Sequence, residues 1–239
     1  MSKDQPMTLV EHLQDLRKTL IISFAAWLIL TGLAFFLFQE QIFSYLTYPL
    51  QKMDLELVIL TPFEGFMAKM KASAFAGLIF ALPIILWQVW CFILPALNTR
   101  EKKYLIVIVP FSVLLFLGGA AFSYYLVLGT AFNFLIITAG SGFIPMLGAS
   151  RYLSFVVAIL IPFGIIFQLP LVAFFLTRIG LITHKTLLQK RKYAIVLSFV
   201  IAAIVTPTPD IVTQSLMSLP MLLLYEISIL IVWIFRKRT

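Results

Sequence analysis

Residues 19–38 read TLIISFAAWLILTGLAFFLF, a run without a single charged side chain. A bilayer core about 30 Å thick is crossed by about 20 apolar residues in a helix, so this stretch decides for a membrane-spanning chain. It is longer than the core of a secretory signal peptide. The segment before it carries Asp4, Glu11 and Asp15, and no small-x-small cleavage site comes after it, so it is expected to remain as the first span. Further apolar runs lie at 72–94, 104–128, 153–177, 193–206 and 211–235. Composition agrees: 62% of the 239 residues are hydrophobic and 12% charged, against about 45–50% and about 25% in soluble domains. The expected fold class is all-α, a single polytopic membrane domain over residues 1–239 with six transmembrane helices and no large soluble domain.

The net charge of +8 could suggest nucleic acid, but its distribution speaks for topology. Before span 1 lie Lys3, Arg17 and Lys18; the 2–3 and 4–5 connections and the C-terminus hold most of the other basic residues. Lys52, Lys69, Lys71 and Arg151 fall on the opposite side. The positive-inside rule then places both termini in the cytoplasm. Basic residues that sit where topology needs them leave no nucleic-acid surface. Cys91, the single cysteine, has no intrachain partner, and with two histidines no Cys/His metal cluster can be built, so no cofactor is expected.

The connections carry local signals. Thr8 and Glu11 have capping-box spacing, and Leu9, Leu13, Leu16 and Leu20 then share one helical face. Residues 1–18 are thus expected to form an amphipathic cytoplasmic helix leading into span 1. Thr61-Pro-Phe-Glu64 reads as a second capping box that opens span 2 outside the membrane. Pro83, Pro110, Pro162 and Pro170 predict kinks. The fifth run, as a helix, rises only about 21 Å and should thin the bilayer locally. Gly129–Gly148 is broken by Gly and Pro, and is expected to cap the outer face.

Enzyme chemistry finds little support. His12 and His184 both lie in cytoplasmic segments, no His-Glu-x-x-His occurs, and the spans hold no pair of aspartates. Ion-coupled transport needs only a few intramembrane ionisable groups, and a small transporter is the alternative from another class. The candidate acid is Glu226, which counting back from Arg236 places near the midplane. Gln168, between two prolines of span 4, is the next buried polar group of interest, and as interhelical glue it would satisfy backbone groups freed by Pro170. The loop Phe92-Ile-Leu-Pro95-Ala-Leu97-Asn98-Thr-Arg100-Glu101 is more informative. Its acid sits among Arg100, Lys102 and Lys103, where Glu101 either completes a cap led by Asn98 or serves a ligand.

At this loop the sequence resembles the TatC family, the multispanning receptor of the twin-arginine protein translocase. The pattern Phe-x-x-Pro-Ala-Leu-x-x-x-Glu matches Phe92, Pro95, Ala96, Leu97 and Glu101. Other matches are His12-Leu…Leu16-Arg17, Thr61–Glu64, Pro83-Ile-Ile-Leu-Trp-Gln-Val-Trp, Phe163-Gly…Phe167…Pro170, Asp210…Gln214 and Leu224-Tyr-Glu226-Ile. The resemblance covers nearly the whole chain, in order. It implies a concave bundle with two shortened C-terminal spans in the bacterial cytoplasmic (inner) membrane, and a receptor rather than an enzyme. Twin-Arg signal peptides of folded precursors would bind at Phe92, Pro95, Leu97 and Glu101, assisted by Leu16 and Arg17. A carboxylate suits that task because it pairs bidentately with guanidinium. Small single-span partners, TatA and TatB, would complete a multimeric complex driven by the proton-motive force. Thr208, Asp210 and Gln214 would lie at the outer end of the wall where partners dock, with Gln168 and Glu226 within it. Two departures stand out: the family commonly has Glu where this chain has Gln168, and the Thr206–Asp210 turn is longer than the usual Thr-Pro-Asp form.

Overall fold

The structure, a computed structural model, describes residues 9–93, 105–138, 140, 142, 145–205 and 211–234. Helix dominates for a physical reason: in hydrocarbon, backbone groups must find partners within their own segment. Helix α1 (Leu9–Gln51) joins the amphipathic segment and the first span in one rod of 43 residues, about 64 Å long. Thr8, the expected cap residue before it, lies outside the described residues. Helix α2 (Glu64–Ile93) returns antiparallel beside α1 over most of its length. His12 meets Phe92 at one end, Trp27 Nε1 donates to the Ala74 carbonyl at 2.9 Å in the middle, and Lys69 pairs with Glu40 toward the other end. Gly77 permits the tightest approach, since a Cβ there would lie 2.6 Å from Thr31 Cα.

The turn into α2 differs from a simple capping box. Glu64 N donates to the Thr61 carbonyl at 3.0 Å, while the Glu64 carboxylate accepts from Leu60 N at 2.8 Å and from Ser150 N at 3.2 Å. One buried acid therefore closes a local turn and holds the start of a distant helix. Beside it, β1 (Leu57–Val58) pairs in parallel with β2 (Leu147–Gly148). Gly148 is required there because a Cβ would lie 2.5 Å from Glu64 Oε1.

The third rod corrects the expected boundary at Leu128. It starts as α3 (Leu105–Phe122) and continues through a π-helical segment (Ser123–Leu128), α4 (Gly129–Phe132) and a second π-helical segment (Asn133–Thr138). Gly129 sits in ordinary helical geometry, φ −60° and ψ −45°. A helical Gly costs about 1 kcal/mol, but aromatic pairs contribute about 0.5–1.5 kcal/mol each. Phe132 makes two, with Tyr152 and Phe155 at centroid distances of 5.3 and 5.0 Å. Part of the stretch expected as an irregular cap is thus helix.

Helices α5 (Ala149–Ile166) and α6 (Leu169–Arg178) form a fourth rod, interrupted at Phe167–Gln168 ahead of Pro170. The helices run on through Pro83, Pro110 and Pro162, so of the four prolines expected to bend spans only Pro170 coincides with a break. A short α7 (His184–Gln189), capped by Thr183, leads into α8 (Arg191–Val205) and α9 (Ile211–Ile234). Five stretches among the described residues are long and apolar enough to cross a membrane: Val10–Gln51, Glu64–Ile93, Ile106–Ile136, Ala149–Arg178 and Ile211–Ile234. At 15 residues α8 is shorter than these, and α9, at 24, is the shortest of the five.

Among the described residues two packed regions hold the first four rods, and a third, Ile166, Met221 and Leu224, ties α9 to α5. The larger lies where the end of α1 and the π-helical part of the third rod meet the start of α2 and the length of α5, around Leu50, Ala72, Leu128, Leu153 and Phe163. Its polar clasps are tyrosines. Pro49 lacks an N–H and so leaves the Tyr45 carbonyl without its helical donor, and the Tyr124 hydroxyl supplies one. Tyr152 adds a 2.8 Å bond to the Leu46 carbonyl. The smaller region, Trp90, Val109, Leu171 and Phe175, ties α2, α3 and α6 at the opposite end.

Candidate functional site

The first turns of α1 and the last turn of α2 come together because the two helices are antiparallel and matched in register. At that end the rings of His12 and Phe92 stack at 4.4 Å with an interplanar angle of 19°. Leu16, one turn beyond His12, is half-buried, as is Asp15, while Arg17 is exposed. Leu13 and Leu20 stay largely exposed, at 63% and 59%, so the amphipathic face predicted for this helix is only partly used within the chain. A short apolar strip, a half-buried carboxylate and a stacked aromatic pair are what remain open to a ligand here. Pro95, Leu97 and Glu101 lie outside the described residues, in the segment after Ile93.

Directly behind Phe92, Trp90 anchors the end of α2. Its indole N–H donates to Ser112 Oγ at 2.8 Å, and its ring meets Phe175 edge-on at 5.2 Å. The Ser112 carbonyl accepts from Gln168 Nε2 at 3.0 Å. Ser112 thus links α2, α3 and the break between α5 and α6. Gln168 acts as interhelical glue, bonding α3 rather than a group released by Pro170.

The remaining candidate residues are dispersed. Gln214 Nε2 donates to the Phe199 carbonyl at 2.9 Å and joins α9 to α8. Glu226 is not a lone intramembrane acid, because Arg191 at the start of α8 pairs with it. The adjacent Tyr225 hydroxyl donates to the Leu187 carbonyl at 2.7 Å, which sets this part of α9 level with the 184–191 segment. Thr208 and Asp210 lie outside the described residues. Among the described residues, no hydrogen bond or ion pair joins Gln168, Gln214 and Glu226 to one another, and no group of three His, Cys, Asp or Glu could hold a metal ion.

Sequence reasoning missed Ser112, Arg191 and Lys71. Lys71 had a usable signal, a charge seven residues into the helix opened by Glu64. Ser112 had none, being one small hydroxyl in an apolar helix.

Comparison with known proteins converges. A model of the family described as Sec-independent protein translocase protein (TatC) matches residues 11–220. The Sec-independent protein translocase protein TatC of Carboxydothermus hydrogenoformans is 39% identical over 229 residues, covering 96% of this chain and 94% of the relative. That of Aquifex aeolicus is 45% identical over 230 residues, covering 93% of each. A crystal structure of the twin-arginine translocase receptor TatC matches with a TM-score of 0.82 at 43% identity, covering 93% of this chain and 98% of that one. A second, of the receptor in DDM, gives the same TM-score at 44% identity.

Proposed function

Because the chain belongs to the TatC family of Sec-independent protein translocase proteins, we propose that it is the subunit that reads the paired arginines of export signals. It is a non-enzymatic, multi-pass membrane component of the twin-arginine translocase. The signal peptide is received at the end of the α1–α2 hairpin, by Phe92, Pro95, Leu97 and Glu101 from one side and by Leu16 and Arg17 from the other. The observation that supports this is the His12–Phe92 stack, which brings the N-terminal helix to the origin of the loop carrying Glu101. Aromatic and aliphatic side chains there suit the apolar part of a signal, and a carboxylate suits guanidinium over ammonium.

The same reading assigns six spans with α8 as the fifth, both termini in the cytoplasm of a bacterial inner membrane, and TatA and TatB as single-span partners. Thr208, Asp210 and Gln214 serve the partner side, Gln168 and Glu226 stiffen the wall, and the proton-motive force supplies the energy. Ion-coupled transport loses its motive, since Glu226 is paired with Arg191 and Gln168 carries no charge. The test is site-specific photocrosslinking from the Phe92–Glu101 loop to a twin-Arg precursor. Adducts should form with the Arg-Arg signal and vanish when Lys-Lys replaces it. Equal adducts with both signals would overturn the receptor reading.

A further inference from the structure

Away from the hairpin end, a groove of about 660 Å³ runs between α1, α2 and α5, a size typical of small-molecule sites. Its walls are Trp27 from α1, Phe75 and Leu78 from α2, and Val157, Ala158 and Ile161 from α5. Lys71 stands at its mouth. The ammonium donates to the Ser150 carbonyl at 3.2 Å and to Ser150 Oγ and Ser154 Oγ, both at 2.7 Å. Those acceptors are neutral. Lys69, two residues away, pairs with Glu40, but no carboxylate among the described residues lies within ion-pair distance of Lys71. A cation at the edge of hydrocarbon that is held directly by neutral acceptors alone is costly, and an anion placed there lowers the cost.

The groove and the charge have a fixed order. Ser150 is the second residue of α5, so Lys71 is level with a helix start, while Leu78 lies about 10 Å deeper along α2. Charge outside and apolar walls inside is the polarity of an amphiphile with an anionic head and a hydrocarbon tail. We propose that this groove binds one anionic phospholipid of the leaflet at that face, with an acyl chain along α2 and α5 and the phosphate at Lys71. The Ser150 hydroxyl accepts from Lys71, and its own proton is available to a phosphate oxygen. An apolar helix from a partner protein would fill the walls but leave the charge unanswered. A zwitterionic lipid would answer it only in part.

Native mass spectrometry of the intact, detergent-purified protein tests this, with phosphatidylglycerol and phosphatidylcholine of identical chains. The parent should retain phosphatidylglycerol about fivefold better, the ratio expected for one basic residue near an anionic headgroup. Lys71→Gln should retain both equally and Lys71→Arg should restore the preference. Ala158→Phe, which narrows the groove at an exposed position, should lower phosphatidylglycerol retention with Lys71 intact. An undiminished preference in Lys71→Gln, or undiminished retention in Ala158→Phe, would overturn the proposal. In membranes, a photoreactive group at position 158 should yield a lipid-mass adduct, and a protein-sized adduct instead would assign the groove to a partner helix. None of these readouts involves precursor binding, so their failure leaves the receptor reading intact.

Discussion

At position 101 the competing roles of a carboxylate can be separated by one atom. Gln completes a capping box nearly as well as Glu, so Glu101→Gln should leave the start of α3 intact. It cannot form the charged pair with guanidinium, worth roughly 1.5–3 kcal/mol per hydrogen bond, so precursor crosslinking should fall more than tenfold at unchanged protein level. Equal crosslinking in variant and parent would return Glu101 to a cap. Ser112 offers a second separation. Ser112→Ala removes the acceptor of the Trp90 indole but keeps the backbone carbonyl that Gln168 uses. A buried orphan N–H costs about 1–3 kcal/mol, more than the ~0.6 kcal/mol average of an interhelical hydrogen bond in a membrane. Thermal unfolding in detergent should therefore drop by several degrees in Ser112→Ala and by less in Gln168→Leu; the reverse order would refute the ranking. Single residues were legible where type and position conflicted, as with an acid in a basic loop. They were illegible where the partner comes from far along the chain, as Arg191 does for Glu226.

Elements were legible in their existence and less so in their ends. Hydropathy located every long helix, because the bilayer fixes both length and composition. It led the amphipathic prelude into span 1, and with no breaker between them the two form one rod, α1. It also stopped the third rod at Leu128, where the ring contacts of Phe132 outweigh a glycine. The π-helical turn at Ser123–Leu128 places Tyr124 against the Tyr45 carbonyl that Pro49 leaves open. Tyr124→Phe should thus destabilise the protein by about 1–3 kcal/mol, whereas Tyr125→Phe, which loses an exposed hydroxyl pair, should cost less. Thermal melts of the two variants decide it, and equal losses would show that the freed carbonyl finds another donor.

For the whole molecule, the charge asymmetry read from the sequence is a topology prediction that five membrane-length helices alone do not decide. Single cysteines at Asn98 and His184 should react only with a reagent on the cytoplasmic side, and one at Asp54 only from outside, in a background where Cys91 is replaced. Reaction from the opposite side at any of them would break the six-span assignment. Packing order, unlike topology, was invisible beforehand, because it rests on contacts such as Gly77 against Thr31 that no pattern announces. The brevity of α8 carries a consequence for biosynthesis. Fifteen residues reach about 22 Å, too short to settle in a bilayer unaided while the ribosome is still making α9. On the proposed six-span arrangement the last two helices then enter the membrane together, α9 drawing α8 in through contacts such as Gln214 to Phe199. A nascent chain ended after residue 205 should keep its final helix accessible to protease, and one ended after residue 234 should protect it.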